Sequence, residues 1–174
     1  DLSLLTTYYE PQVDYFATFN MTSAATAKAA WMAAQIQAQY PDYWPETIRA
    51  LLVHSSEWTD ELFQQFCNDK SKPSIERLLR ICGYGVPNLD RALHSASNSL
   101  TLISQSELQP FDQKANKSGY RTKDMHFYDL PWPKVVLQNL KDIEVSMRVT
   151  LSYFIEPGPG EIGWKDRYRY ASHG

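Results

Sequence analysis

Ser23 has the position in this sequence that best suits covalent chemistry. It follows a strand-like segment and begins the alanine-rich stretch SAATAKAAWMAAQIQAQ, residues 23–39. A hydroxyl at a helix N-terminus lies beside unpaired backbone N–H groups and the positive end of the helix dipole. Because these groups stabilise an oxyanion that forms beside an attacking oxygen, Ser23 is a candidate nucleophile. A serine there also serves as a helix cap, which is the structural alternative.

Three segments, in order along the chain, resemble the subtilisin-like serine proteases, or subtilases. The stretch YFATFNMTSAATAKAAWMAAQI (15–36) resembles the strand and serine helix of that family. YPDYWPETIRALLVHSS (40–56) resembles the helix that follows, and GYGVPNLDRAL (83–93) resembles the late glycine-rich turn with its short helix. The positions that match the serine motif are Thr22, Ser23, Ala25 and Thr26.

The resemblance implies that Ser23 is the acyl-transfer nucleophile and that its backbone N–H is one arm of an oxyanion hole. In subtilases an Asp, a His that acts as base and an Asn all precede this serine in the chain. The residues before Ser23 contain no histidine, and Asp1 and Asp14 lack a family-like setting. We therefore expect the C-terminal portion of a serine endopeptidase, inactive by itself towards a peptide or protein substrate.

Two residues depart from the family pattern. Met21 occupies the place of a glycine, and a long side chain lacks the backbone freedom that glycine has. Ala27 replaces a proline, which we expect to be harmless because alanine favours helices. A non-catalytic binding or scaffold module, or a pseudoprotease, in which Ser23 is only a helix cap, remains the alternative. His54 is expected to be a structural residue at the edge of the core.

The elements that position Ser23 follow from the hydrophobic periodicity, which is helical before about residue 95 and alternating after it. The pattern predicts an α+β fold. With the resemblance, residues 1–95 are interpreted as the helical C-terminal part of a subtilisin-like α/β domain, and residues 96–174 as an antiparallel β-sandwich-like extension. The predicted strands are 2–9, 14–20, 100–104, 125–129 and 143–155, and the predicted helices are 23–39, 45–55, 58–67, 73–82 and one from about 88.

The extension resembles the strand-rich C-terminal part of a bacterial subgroup of subtilases, on YDLPWP (128–133) and VSMRVTLSYFIEPGPGE (145–161). The serine helix is apolar around most of its circumference, so we expect it to be buried. In a chain without the upstream sheet of the family, we expect the N-terminal part of the same peptidase domain, or self-association, to cover it.

The composition argues against several other classes. Lys and Arg number 17 against 20 Asp and Glu, for a net charge of −3, so no nucleic-acid or membrane-surface partner is expected. The stretch WKDRYRY (164–170) is interpreted as an edge strand rather than a nucleic-acid contact. Two cysteines and four scattered histidines lack metal-ligand spacing, so neither a metal nor a cofactor is expected. Free cysteines and a start without a leader-like pattern favour the cytoplasm, although the sequence does not fix the compartment.

Overall fold

The structure, a computed structural model, describes residues 3–67, 69, 71–98, 101–115 and 119–154. Within these ranges it contains six helices and two antiparallel strand pairs, so the predicted α+β class is confirmed. The chain divides into two units, Asp1–Ile103 with Thr150–Ser152, and Ser104–Val149 with Tyr153–Gly174. The domain boundary predicted at residue 95 stays a prediction, and the predicted edge strand 164–170 lies outside the described residues.

A β-hairpin at the start of the chain leads directly into the helix that carries Ser23. Strand β1 (Leu4–Thr7) pairs antiparallel with strand β2 (Phe16–Phe19), and Leu4 lies opposite Phe19. Threonine and aromatic residues favour this extended conformation because their side chains pack well on a pleated surface. Both strands predicted before residue 21 are therefore confirmed, with shorter bounds.

Three helices enclose the apolar core of the first unit. They are α1 (Met21–Gln39), α2 (Pro45–Ser55) and α5 (Leu89–Asn98). The Asn88 side chain accepts the N–H of Arg91 at 2.9 Å and so caps α5. The Tyr40 hydroxyl donates to the carbonyl of Leu93, which joins the end of α1 to α5. The buried members of the core are Ile36, Ile48, Leu51 and Ala92.

A close backbone approach connects the end of α2 with the glycine-rich turn after α4. The other helices of this unit are α3 (Asp60–Phe66) and α4 (Lys72–Cys82). Glu57 and Val86 form an isolated antiparallel bridge. Gly85, with φ of 95°, lies so near that a Cβ there would stand 2.2 Å from the Glu57 carbonyl oxygen, which only glycine permits. The five helices predicted before residue 100 are confirmed: the first four agree to within two residues at each end, and the fifth begins one residue after its predicted start.

After residue 98 the observed elements differ from the predicted strands. The second unit contains β3 (Phe111–Gln113) paired with β4 (Tyr120–Thr122), and a helix α6 (Lys134–Leu140) that the pattern missed. The predicted strands 100–104, 125–129 and 143–155 are wrong where the structure describes them, because those residues form no ladder. The alternating pattern at 143–155 gives this segment one apolar face, but a strand also needs a neighbouring strand to pair with. Val149 and Leu151 on the apolar face are 76% and 81% exposed. The β-sandwich stays a prediction.

In the ranges that the structure describes, no helix combines the length and the apolar content that crossing a bilayer requires. Both cysteines are free thiols, with Cys67 buried and Cys82 half-buried.

Candidate active site at the start of helix α1

The helix that carries Ser23 begins two residues earlier than predicted. Helix α1 starts at Met21, and Asn20 is its N-cap residue, with an extended backbone and no side-chain cap hydrogen bond. The interpretation of Ser23 as a helix cap is therefore wrong, because Ser23 lies inside the first turn. The physical reason is a tight turn at Met21, whose φ of 72° redirects the chain from β2 into the helix.

Ser23 is exposed in the first turn of α1. Its backbone N–H belongs to the first four of the helix, which have no carbonyl partner within it. Among the residues that the structure describes, none forms a hydrogen bond with the Ser23 hydroxyl. The position therefore places a hydroxyl beside unpaired backbone N–H groups, and none of the described side chains is hydrogen-bonded to it as a base.

One side of α1 is open alongside Ser23. At about 100° per residue, three alanines project from the same side of the helix as Ser23, and all are exposed. We call this set the alanine face; its members are Ser23, Ala27, Ala30 and Ala34. Trp31, next to this face, is 52% exposed. In the part of the chain that the structure describes, α1 is buried on the side of Ala24, Met32 and Ile36, and the alanine face is exposed.

A cavity of about 410 Å³ lies on the opposite side of the start of α1. It is lined by Ser3 and Leu4 at the hairpin and by Met21, Ala24, Ala25 and Lys28 of the helix, together with Asn20. The middle of this lining is about 150° around the helix from Ser23. The cavity is therefore not a substrate pocket for the Ser23 hydroxyl.

The histidines with described positions have partners other than Ser23. His54, at the end of α2, is half-buried, and its Nδ1 lies 2.8 Å from the Oγ1 of Thr150. The Nδ1 of His94 lies 2.6 Å from a carbonyl oxygen of its own helix, α5. His126 belongs to the second unit. Within the first unit, the structure therefore brings neither His54 nor His94 into hydrogen-bond contact with Ser23.

Electrostatics do not single out a general acid or base beside Ser23. Hydrogen bonds from Ser74 and Ser71 lower the pKa of Asp69, but this group lies just before α4. Asp14 is exposed in the connection between β1 and β2. In the part of the chain that the structure describes, no three His, Cys, Asp or Glu side chains come together as a metal site would require.

Comparison with known proteins agrees with the motif at the start of α1. The model of the Subtilase family matches residues 1–85, the stretch that contains the hairpin, Ser23 and helices α1 to α4. Residues 1–85 are thus similar to the subtilase family. This likeness supports a subtilase-related origin, in a family of serine proteases, which are hydrolases.

One curated relative is the uncharacterized protein y4bN of Sinorhizobium fredii (strain NBRC 101917 / NGR234). It is 30% identical over 138 residues, which cover 79% of this chain and 28% of the relative. The chain thus spans little more than a quarter of that relative's length. No solved structure matches the chain.

Met21 has a structural consequence that the motif alone did not disclose. The subtilase resemblance places a glycine at this position, and the structure gives the position a φ of 72°. An L-residue with a side chain adopts this left-handed region at a cost of about 1–2 kcal/mol. Met21 therefore introduces local backbone strain two residues before Ser23, while its side chain is 83% exposed.

Proposed function

We propose that this chain supplies the nucleophile segment of a subtilisin-like serine endopeptidase, in which Ser23 attacks a peptide carbonyl. The observation that carries the proposal is the exposed Ser23 in the first turn of α1, beside unpaired N–H groups and inside the stretch that matches the family. A nucleophile, an oxyanion donor and the helix that fixes both are what this chain contributes to the reaction.

The Asp, the His and the oxyanion Asn of such a site would come from a polypeptide segment other than these 174 residues. The alanine face supports this arrangement because its small side chains permit close approach and because it begins at Ser23. Covering a few hundred Å² of apolar surface contributes several kcal/mol, at about 25 cal/mol per Å². We propose that the N-terminal part of the same peptidase domain covers this face; a second copy of the chain is the other occupant.

In the assembled site, the His takes the proton of the Ser23 hydroxyl as Oγ attacks the carbonyl carbon. The Ser23 N–H and the Asn amide then hold the tetrahedral oxyanion. The His returns the proton to the leaving amine, and water hydrolyses the acyl-enzyme by the same steps.

A non-catalytic module is the second candidate function. Met21 in the place of the family glycine favours it, and so does the lack of a base for Ser23 among the described residues. In such a protein the alanine face would still bind its partner, but the Ser23 hydroxyl would stay unreactive.

Peptide hydrolysis by the protein encoded by the full open reading frame separates these candidates. We expect Ser23→Ala to lower kcat/KM for a fluorogenic protein substrate by at least about 10⁴-fold. Ser146→Ala, which changes an exposed serine of the second unit, is the matched control and should leave the rate unchanged. Equal activity in Ser23→Ala would refute the nucleophile role, and a folded but inactive parent protein would favour the non-catalytic module.

A further inference from the structure

A second serine, in the second unit, has the neighbouring base that Ser23 lacks among the described residues. The Oγ of Ser106 lies 3.0 Å from Nδ1 of His126 and 2.8 Å from the hydroxyl of Tyr128. The Tyr128 hydroxyl is also 3.4 Å from the same histidine nitrogen. The two rings pack edge to face with their centroids 6.3 Å apart. Three groups that exchange protons therefore meet at one position.

Local backbone geometry brings these side chains together. His126 and Tyr128 are two residues apart, and both side chains reach Ser106 with their rings edge to face. The N–H of Lys123 donates to the carbonyl of Pro110 at 2.9 Å, which holds this segment beside the one that carries Ser106. The cluster therefore lies within the second unit, on two stretches that this backbone hydrogen bond joins.

The distances permit a consistent set of hydrogen-bond donors and acceptors. When His126 carries its proton on Nε2, its Nδ1 accepts the Ser106 O–H, and the Tyr128 O–H donates to Ser106 Oγ. A separation of 3.0 Å is within the range of nucleophile–base pairs. Hydrogen bonds with Ser104 and then Ser106 hold the pKa of Tyr128 below its ordinary value, because these hydroxyls can donate to the phenolate when it forms.

We propose that Ser106 is an acylation site for small activated esters and phosphonylating reagents, with His126 as its base and Tyr128 as a positioning residue. Ser106 Oγ forms a bond to the ester carbonyl carbon while its proton passes to His126 Nδ1. The bond to the leaving alcohol then breaks, and the alcohol takes that proton. With a fluorophosphonate, an Oγ–P bond forms, fluoride leaves as the P–F bond breaks, and His126 releases the proton to water.

The exposure of the cluster sets the class of reagent. Ser106, His126 and Tyr128 are all exposed, so a water-excluding pocket does not enclose the reaction. A peptide bond requires strong stabilisation of its oxyanion in an enclosed site, whereas an activated ester or fluorophosphonate has a good leaving group. The site therefore suits small reactive molecules rather than peptides.

Labelling of the full chain with a biotinylated fluorophosphonate, followed by mass-spectrometric mapping, tests this inference. We expect the label on Ser106, and we expect His126→Gln to slow labelling at least about tenfold, because general bases contribute that much or more. Tyr128→Phe keeps the ring contact but removes the donor, so slower labelling in this variant separates the hydrogen bond from packing. Ser146→Ala should react at the parent rate.

Two results would overturn the inference: a chain labelled elsewhere or not at all, and labelling of Ser106 that is equally fast in His126→Gln. Circular dichroism of each variant checks that the fold is retained, as expected for exposed side chains. Because the site uses residues of the second unit, its failure would leave the proposed role of Ser23 intact.

Discussion

Replacing Met21 by glycine tests whether the turn before Ser23 is strained. Met21 has a φ of 72° at the first position of α1. Glycine adopts this conformation freely, whereas alanine retains the penalty of a Cβ. We therefore expect Met21→Gly to be more stable than Met21→Ala, although both remove the exposed side-chain atoms beyond Cβ.

The magnitude follows from three contributions. Removing Cβ at a positive φ stabilises the folded state of the glycine variant by about 1–2 kcal/mol. Glycine also has more conformational freedom in the unfolded chain, which offsets about 0.5–1 kcal/mol of that gain. Because Met21 is 83% exposed, shortening it gives up only about 0.4 kcal/mol of apolar burial, and both variants share that loss. The glycine variant should thus exceed the alanine variant by about 0.5–1 kcal/mol, or several degrees in Tm.

Urea unfolding followed by circular dichroism measures this difference. Ala29→Gly, at an exposed helical position of α1, is the control and should destabilise by about 1 kcal/mol, as glycine does inside a helix. Equal or greater stability of Met21→Ala relative to Met21→Gly would show that the backbone at this position is not strained.

Three further predictions follow from the described contacts. Gly85→Ala should destabilise the first unit by at least about 2 kcal/mol, because the added Cβ would collide with the Glu57 carbonyl. Urea unfolding measures this loss, and an unchanged free energy of unfolding would contradict the close approach. The hydrogen bond from Arg121 holds the pKa of Asp112 below its ordinary 3.8, so this pair stabilises the β3–β4 hairpin at neutral pH. That stabilisation should be lost as the pH falls through the lowered pKa, and an NMR titration in which Asp112 titrates at or above its ordinary value would contradict it. In the 174-residue chain alone, Ser23 should not react with a fluorophosphonate, because an isolated serine hydroxyl is a weak nucleophile. Mass-spectrometric mapping checks this. A label on Ser23 would show that a base outside the described residues activates it.

The helices were predictable because their signals are local. A proline at the start of α2, an asparagine cap before α5 and a glycine after α4 each act within one turn of the helix they bound. The strand predicted at 143–155 failed for the opposite reason. Its alternation specifies a face, but pairing depends on a neighbour distant in sequence or in another chain, and the described residues form no ladder with it.

The candidate site was predictable in position but not in geometry. The family motif located Ser23, and the structure places it exposed at the start of α1. The helix start was predicted two residues too late. The helix begins at Met21, whose φ is positive, and a positive φ is predictable from sequence mainly where the residue is glycine. The cluster at Ser106 went unnoticed because Ser106 and His126 are distant in sequence and share no motif spacing.

The identity of the residue whose modification stops peptide hydrolysis tests the central claim most directly. In the protein encoded by the full open reading frame, a fluorophosphonate should modify Ser23, and the loss of activity should follow the modified fraction of Ser23 one to one. Modification of Ser106 alone should leave peptide hydrolysis unchanged. Activity that persists when Ser23 is fully modified, or that is lost while Ser23 remains unmodified, would contradict the account.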